Sequence, residues 1–305
     1  MDSIKEEKGT STLPSPPSVS FSHVHLYVDA LESVQNYKDL EGKINAFHNN
    51  NKDSAIFDHQ VQPDEEFVTQ NRDVVKQLIC GLNFRVTGRS DDSSSEKEGT
   101  ESLLVTTADP KGVQIVVTAK SDPVLADGAS ARYAHFSAQA LDRFYDSHAG
   151  RQGVAVLAFE VPERGGVEAI FERYSKMHPK LVLDEQVQVY DNAKVLEVYA
   201  YYKGEKIVSE HDNGTLLRFV ETLPSSEAQS LPGLMPVDAT FSSNAQAAYC
   251  DHWVSNVVSR TGFIDTLDDV LGFTPKVDFN AGKHYKNLAL IFCSSTVDVN
   301  FTMSL

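Results

Sequence analysis

Two histidines occupy matching places in this chain. His23 comes two residues after Phe21, and His252 directly follows Asp251; each sits early in a run where valines alternate with other residues. A neutral imidazole on the face of a strand can bind a divalent metal. It needs at least two more ligands converging from other strands, and a second histidine with a carboxylate would give the facial triad that suits non-haem iron(II) and O2. His25 lies two residues beyond His23 and so faces the same side. Asp251 is adjacent to His252, faces the opposite side, and therefore cannot orient its neighbour's ring. The strand that would have to answer His23 offers Ala155 and Val156, and the closing strand offers Arg218 or Phe219 where a carboxylate is wanted. That set points to a metal-free cup, with His23 a half-buried structural histidine. For His252, spacing alone leaves two roles open: a metal ligand, or a core histidine bonded to backbone.

The elements that must position these residues recur three times. Residues 21–28 alternate and are rich in strand formers. Residues 63–80 carry Phe67, Val68, Val74, Val75, Leu78 and Ile79 at helical spacing, and strand signals follow at 83–87, 102–107 and 113–118. Residues 41–62, with three consecutive asparagines, read as a polar insertion, and 89–100 as a solvated loop. The order repeats as strand 153–161, helix 167–176 and strands 186–190, 195–202 and 215–220. A third copy has strand 249–257, helix 262–270 and strands 273–279, 288–293 and 297–303, with Gly272 just past the helix as its cap. The fold class is α+β, built of βαβββ modules. Modules one and two are expected to pair face to face as a complete domain over 21–222. Residues 1–20 read as a disordered tail and 223–248, rich in Pro, Ser and Gly, as a linker. Residues 249–305 form the third module, the first half of a second domain, with Val254, Leu290 and Phe292 lining its cup.

Composition narrows the class. With 43 acidic and 27 basic residues the formal charge is −16, a surface that repels nucleic acid and anionic membrane. Apolar residues make up 41% of the chain, enough for a real core. Three cysteines, Cys80, Cys250 and Cys293, stand far apart without a CxxC pair, which fits a reducing, cytoplasmic compartment. No apolar run spans a bilayer, and the N-terminus lacks a signal core. No Gly-rich phosphate loop appears. His59 and His135 are isolated, and Asn213-Gly214-Thr215 reads as turn chemistry.

Asp251-His252-Trp253-Val254-Ser255-Asn256-Val257 resembles the Asp-His-x-Val-Gly-Asn-Val strand of the 4-hydroxyphenylpyruvate dioxygenase family. Leu231-Pro232-Gly233 resembles that family's interdomain stretch, and Leu271-Gly272-Phe273-Thr274 its helix-to-strand turn. Gly153-Val154-Ala155-Val156, Leu216-Leu217-Arg218-Phe219-Val220 and Phe21-Ser22-His23-Val24 resemble strands of its N-terminal domain. The resemblance runs in order along most of 21–305. It implies vicinal-oxygen-chelate architecture, and an oxidoreductase of tyrosine catabolism that turns 4-hydroxyphenylpyruvate and O2 into homogentisate. It implies Fe(II) held by His252 together with a histidine and a glutamate of a fourth module, neither of which this chain supplies. It also implies that Asn256, Ala289 and Ser304 face the substrate. Asn256 keeps the family residue, whereas Ala289 stands for a serine, Ser304 for an asparagine, Thr302 for a proline and Ser255 for a glycine. Two other readings follow from the odd module count: a metal-free protein that binds a small molecule or regulates, and a homodimer with a glyoxalase-like lyase or isomerase site built from two copies of His252.

Overall fold

In the computed structural model the described residues are 13, 15–50, 73–90, 102–109, 112–119, 153–189, 193–200, 202–203, 206–207, 216–223, 231, 234–241, 252–256, 260–280, 288–293 and 300–304. The fold is α+β. Module one consists of β1 (Ser20–Val28), α1 (Val34–Asn50), α2 (Val74–Leu82), β2 (Arg85–Ser90), β3 (Leu103–Thr106) and β4 (Gln114–Ala119). Module two consists of β5 (Gly153–Glu160), α3 (Gly166–Met177), β6 (Gln188–Val189), β7 (Ala193–Tyr199), the short pair β8 (Tyr202–Lys203) and β9 (Lys206–Ile207), and β10 (Leu216–Thr222). Then come β11 (Leu234–Pro236), and module three: β12 (His252–Asn256), α4 (Arg260–Leu271), β13 (Thr274–Asn280), β14 (Leu288–Cys293) and β15 (Asn300–Ser304). Among the described residues no helix is long and apolar enough to cross a membrane.

Each module closes in one way. Its first strand runs parallel to its last, and the last two inner pairs run antiparallel. The first two modules do not pair face to face as expected. They join edge to edge through antiparallel β1 and β5, giving one nine-stranded sheet in the order β11-β2-β3-β4-β1-β5-β10-β7-β6. The reason is the ladder itself. The first strand of each module has one edge taken by its own last strand, and its other edge is a row of unpaired backbone groups that the sister strand satisfies. Register shifts between Phe21 and His23 and between His25 and Leu26 absorb the mismatch along this seam.

Helices cover one face of that sheet. Tyr37 and Ile44 of α1 and Val75 and Ile79 of α2 pack on Leu103, Val105 and Val117. Val167, Ile170 and Tyr174 of α3 pack on Leu157, Phe159, Leu217 and Phe219, where the Phe159 and Phe219 rings stack at 5.7 Å. α1 replaces part of the expected polar insertion. Its buried stripe, Tyr37, Glu41 and Ile44, has helical spacing but includes a carboxylate. Glu41 is not wasted there, since it accepts from Val86 N at 2.6 Å and from Lys38 Nζ at 3.0 Å and ties α1 to β2. Of the expected helix 63–80, the described part begins at Asp73, whose side chain caps α2 by accepting from Val75 N and Lys76 N. Of the expected loop 89–100, Arg89 and Ser90 instead end β2, where they pair with Met235 and Leu234; its remainder and the Asn213 turn lie outside the described residues.

Two expectations about the flanks change. Within the stretch read as a linker, β11 pairs with β2, and Val237 N donates to Thr87 O at 2.8 Å. Within the stretch read as a tail, Pro17 and Val19 are buried. Pro16 lies against Gly272, which has φ +66 and takes the left-handed cap position; a Cβ there would meet Pro16 Cγ at 3.0 Å.

Module three docks on module two. Leu267, Val270, Leu271 and Phe273 join the core around Ile170 and Tyr174. α4 has no basic residue in its last turn, and Arg173 of α3 supplies the missing cation. Its Nε donates to Val270 O at 3.0 Å and its Nη2 to Asp269 O, while His178 Nε2 lies 3.2 Å from Asp269 Oδ2. Arg173→Ala should therefore loosen this joint. Amides of 260–280 are expected to exchange faster in hydrogen-exchange mass spectrometry while those of β1 and β5 hold their wild-type protection. Equal protection at 260–280 in both proteins would show that apolar packing alone holds the joint.

Candidate functional site

Two faces carry chemistry. The first is the face of the nine-stranded sheet opposite the helices. Register aligns His23 with Ala158, Ala158 with Arg218, and Arg218 with Glu197. Directly opposed residues share a face, so these four form one row across β1, β5, β10 and β7. The next row holds Val116, His25, Val156, Leu216 and Tyr199. His23, His25, Arg218, Ser102 and Thr118 are all 0% exposed. His23, expected to be half-buried, is thus fully enclosed.

The hydrogen bonds fix how these groups are used. Arg218 Nε donates to Glu197 Oε1 at 2.7 Å, and Nη2 lies 2.6 Å from the same oxygen. Arg218 Nη1 lies 3.4 Å from His25 Nδ1. A guanidinium only donates, so this contact assigns the lone pair to Nδ1 and the proton to Nε2. Nε2 then donates to Thr118 Oγ1 at 2.7 Å, and the Thr118 and Ser102 hydroxyls are hydrogen-bonded to each other at 2.7 Å. His23 Nδ1 lies 3.0 Å from Ser22 Oγ. Burial, and then the nearby positive charge of Arg218, hold the His23 imidazole well below its ordinary pKa.

The second face belongs to the four-stranded sheet of module three, ordered β12-β15-β14-β13. His252 is opposite Asn300 and Asn300 opposite Cys293; Asn256 is opposite Ser304. Val254 is opposite Thr302 and Thr302 opposite Ile291, while Ala289 is opposite Phe279. Alternation therefore puts His252, Asn256, Ala289 and Ser304 at positions on one face. Trp253, Phe301, Met303, Leu290 and Phe292 occupy the other. This corrects the expected cup lining: Leu290 and Phe292 share a face with each other but not with Val254, because Leu290 is opposite Met303 and Met303 opposite Ser255. Asp278 is opposite Leu290 and so lies away from His252. On the described strands, the donor set sharing His252's face is one imidazole with amide, hydroxyl and thiol positions and no carboxylate. It fits one corner of a facial triad. A second imidazole and a carboxylate must come from residues outside these four strands.

Among the described residues no three His, Cys, Asp or Glu side chains are grouped to hold a metal. His59, His135 and Asp251 lie outside them. A cavity of about 290 Å³ between α1 and α2 is lined by Glu32, Asn36, Asp39, Leu40, Lys43 and Lys76, and its Lys76 already pairs with Glu32. Sequence reasoning missed the Arg218–Glu197 pair. Its signal was there: a charged residue flanked by apolar ones near the middle of each of two strands, which is where buried ion pairs form.

The first face yields two measurable outcomes. Removing one partner of the enclosed pair, as in Glu197→Ala, should cost about 3–5 kcal/mol in urea unfolding, whereas Arg218→Met with Glu197→Met together should cost far less. A folded-state pKa below the unfolded value means the native protein binds fewer protons. His23 therefore contributes stability that is complete above about pH 6.5 and is lost, at up to about 1.4 kcal/mol per pH unit, as pH falls toward its folded value. His23→Gln should flatten this part of the Tm–pH curve between pH 7.5 and 5.5, and an unchanged curve would exclude His23 as its source.

No family model matches the sequence, and no curated protein matches it either. Among solved structures, a mutant 4-hydroxymandelate synthase from Streptomyces coelicolor aligns over 95% of this chain and 63% of its own, with 12% identity and a TM-score of 0.48. A xylose isomerase-like TIM barrel/4-hydroxyphenylpyruvate dioxygenase fusion protein aligns over 96% of this chain and 34% of its own, with 13% identity and a TM-score of 0.44. A catechol 2,3-dioxygenase aligns over 93% and 67%, with 10% identity and a TM-score of 0.42. The chain thus spans less than two thirds of the length of the first two structures it is similar to.

Proposed function

We propose that this chain is part of an Fe(II)-dependent dioxygenase of the 4-hydroxyphenylpyruvate type, an oxidoreductase acting on an aromatic 2-oxo acid and O2, to which it contributes His252 as one iron ligand. The observation that carries this reading is the register of module three. His252, Asn256, Ala289 and Ser304 come from three strands and hold positions on one face, which they share with Asn300 and Thr302 and with the apolar Val254, Ile291 and Phe279. The βαβββ order of all three modules and the run of sequence resemblances from Phe21 onward support it.

When bound, iron would supply chelation of the 2-oxo acid and activation of O2. The chain's own part is to present an imidazole at the start of β12, with Asn256 and Ser304 two pleat repeats, about 13 Å, further along to hydrogen-bond the substrate. Ala289 offers no hydrogen bond where the family has a serine, which favours a 2-oxo acid with less polar ring substitution than 4-hydroxyphenylpyruvate.

Anaerobic titration with Co(II), a spectroscopic stand-in for Fe(II), tests the assignment. With His252 as its one assigned ligand the chain should take up Co(II) only weakly, and His252→Ala should weaken that uptake further, by at least about tenfold, the loss that even an outer-shell partner brings. Phenylpyruvate should tighten uptake in the wild type and not in the variant. Uptake that ignores both the substitution and the 2-oxo acid would sink the proposal.

A further inference from the structure

We propose that the outer edge of β12 is a docking edge for a second copy of this chain, the two β12 strands pairing antiparallel about a twofold axis at Trp253. The two larger sheets end in four edge strands among the described residues: β11 and β6 on the nine-stranded sheet, β13 and β12 on the four-stranded one. A free strand edge invites pairing with another chain, and proteins blunt such edges by shortness, proline, charge or a bulge. Three of the four are blunted. β11 has three residues and ends in Pro236, and β6 has two residues. β13 carries Pro275, Lys276 and Asp278, and its register shifts between Pro275 and Val277. β12 is different. Its five residues, His252–Asn256, include no proline, lysine, arginine or carboxylate, and they pair with β15 without a register shift. Among the described elements β15 runs along one edge of β12, and no described strand pairs with the other.

The first two modules show what such an edge takes. β1 and β5 are the first strands of their modules, and they join antiparallel by the edge that their own last strands leave free. β12 is the first strand of module three and likewise runs parallel to its own last strand, β15. His23, Val156 and His252 each stand five residues before a valine, Val28, Val161 and Val257, which matches the three strands residue by residue. On that match Val24 corresponds to Leu157, and those two residues are paired across the seam. Where matching residues pair in an antiparallel ladder, a twofold axis passes between them. The matching residue of β12 is Trp253. A second β12 docking as β5 docks on β1 therefore sets Trp253 opposite the partner's Trp253, and His252 opposite the partner's Val254. The contact is self-complementary, because one edge meets its own copy. His252 and the partner's His252 then hold diagonal positions on one face, about 7–8 Å apart. The seam itself rests on backbone pairing and not on the iron assignment.

Sedimentation velocity of the full chain in EDTA tests the seam independently of iron. The wild type should sediment as a dimer. Val254→Lys adds the charge that natural edges use against pairing, and across the axis the two copies of that charge repel. It should raise the dimer dissociation constant by about tenfold or more while the far-UV circular dichroism stays as in the wild type. A second measurement reads the register whether or not that variant folds. In a chain with Cys80, Cys250 and Cys293 replaced by Ser, Val254→Cys should be crosslinked to its copy by a short bismaleimide, because the two copies of position 254 lie about 7–8 Å apart. Asn256→Cys should not, because six residues of strand, about 20 Å, separate the two copies of position 256. A monomeric wild type, a dimer that a well-folded Val254→Lys leaves unchanged, or crosslinking at 256 as strong as at 254 would each overturn the proposal.

Discussion

Antiparallel pairing of β1 with β5 is the constraint on which the first domain rests. Each module ends its own sheet with a first strand whose outer edge is unpaired, and a buried edge with unmet N–H and C=O groups is too costly to leave. Joining the two edges turns two four-stranded units into one sheet and brings β1 beside β5 and β10. His23 then falls in the same row as Arg218, two strands away, with Ala158 between them. No local feature of β1 or β10 could have produced that neighbourhood. It exists because of the seam, and the two register shifts along the seam set which residues meet.

The same seam decides the electrostatics. Once Arg218 is enclosed, its charge must be met within the sheet, and Glu197 on β7 is the carboxylate in register to do so. Its Nη1 lies against His25, which turns the imidazole proton outward to Thr118 and Ser102. One buried cation therefore orders a chain of hydrogen bonds over four strands. The pull on His23 has the same origin, since burial and the arginine both disfavour its charged form.

Much of this architecture was legible in the sequence. The repeated order of strand, helix and three strands survives in all three modules because each strand's alternation is a local property of the chain. What the sequence hid was relational. Periodicity says which face of a strand is apolar but not which strand's edge it will meet, so face-to-face pairing was expected where edge-to-edge pairing occurs. α1 was obscured because its buried stripe includes Glu41, whose burial depends on Lys38 and on the Val86 backbone 45 residues away. Arg218 was noticed only as the wrong residue for a metal site. Its partner Glu197 sat in a strand whose two-sided burial erased the alternation that would have exposed it.

Module three shows the opposite balance. There the candidate residues follow from alternation alone, because β12, β14 and β15 are short and, between one another, regular in register. Trp253, Phe301, Met303, Leu290 and Phe292 hold positions on one face, and His252, Asn256, Asn300 and Ser304 on the other, together with Val254, Ile291 and Phe279. A few polar positions set among apolar ones is the composition of a ligand pocket. Val254 and Leu290 are both apolar but differ in parity across the β12–β15–β14 ladder, a relation that a strand's own sequence does not carry. What ties this module to its neighbour is α4, through Leu267, Val270 and Leu271 in the shared core and through Arg173, which closes the end of the helix from the neighbouring module. The orientation of His252's strand relative to the first domain thus depends on a helix end capped from outside, and an arginine far in sequence from His252 becomes part of what positions it.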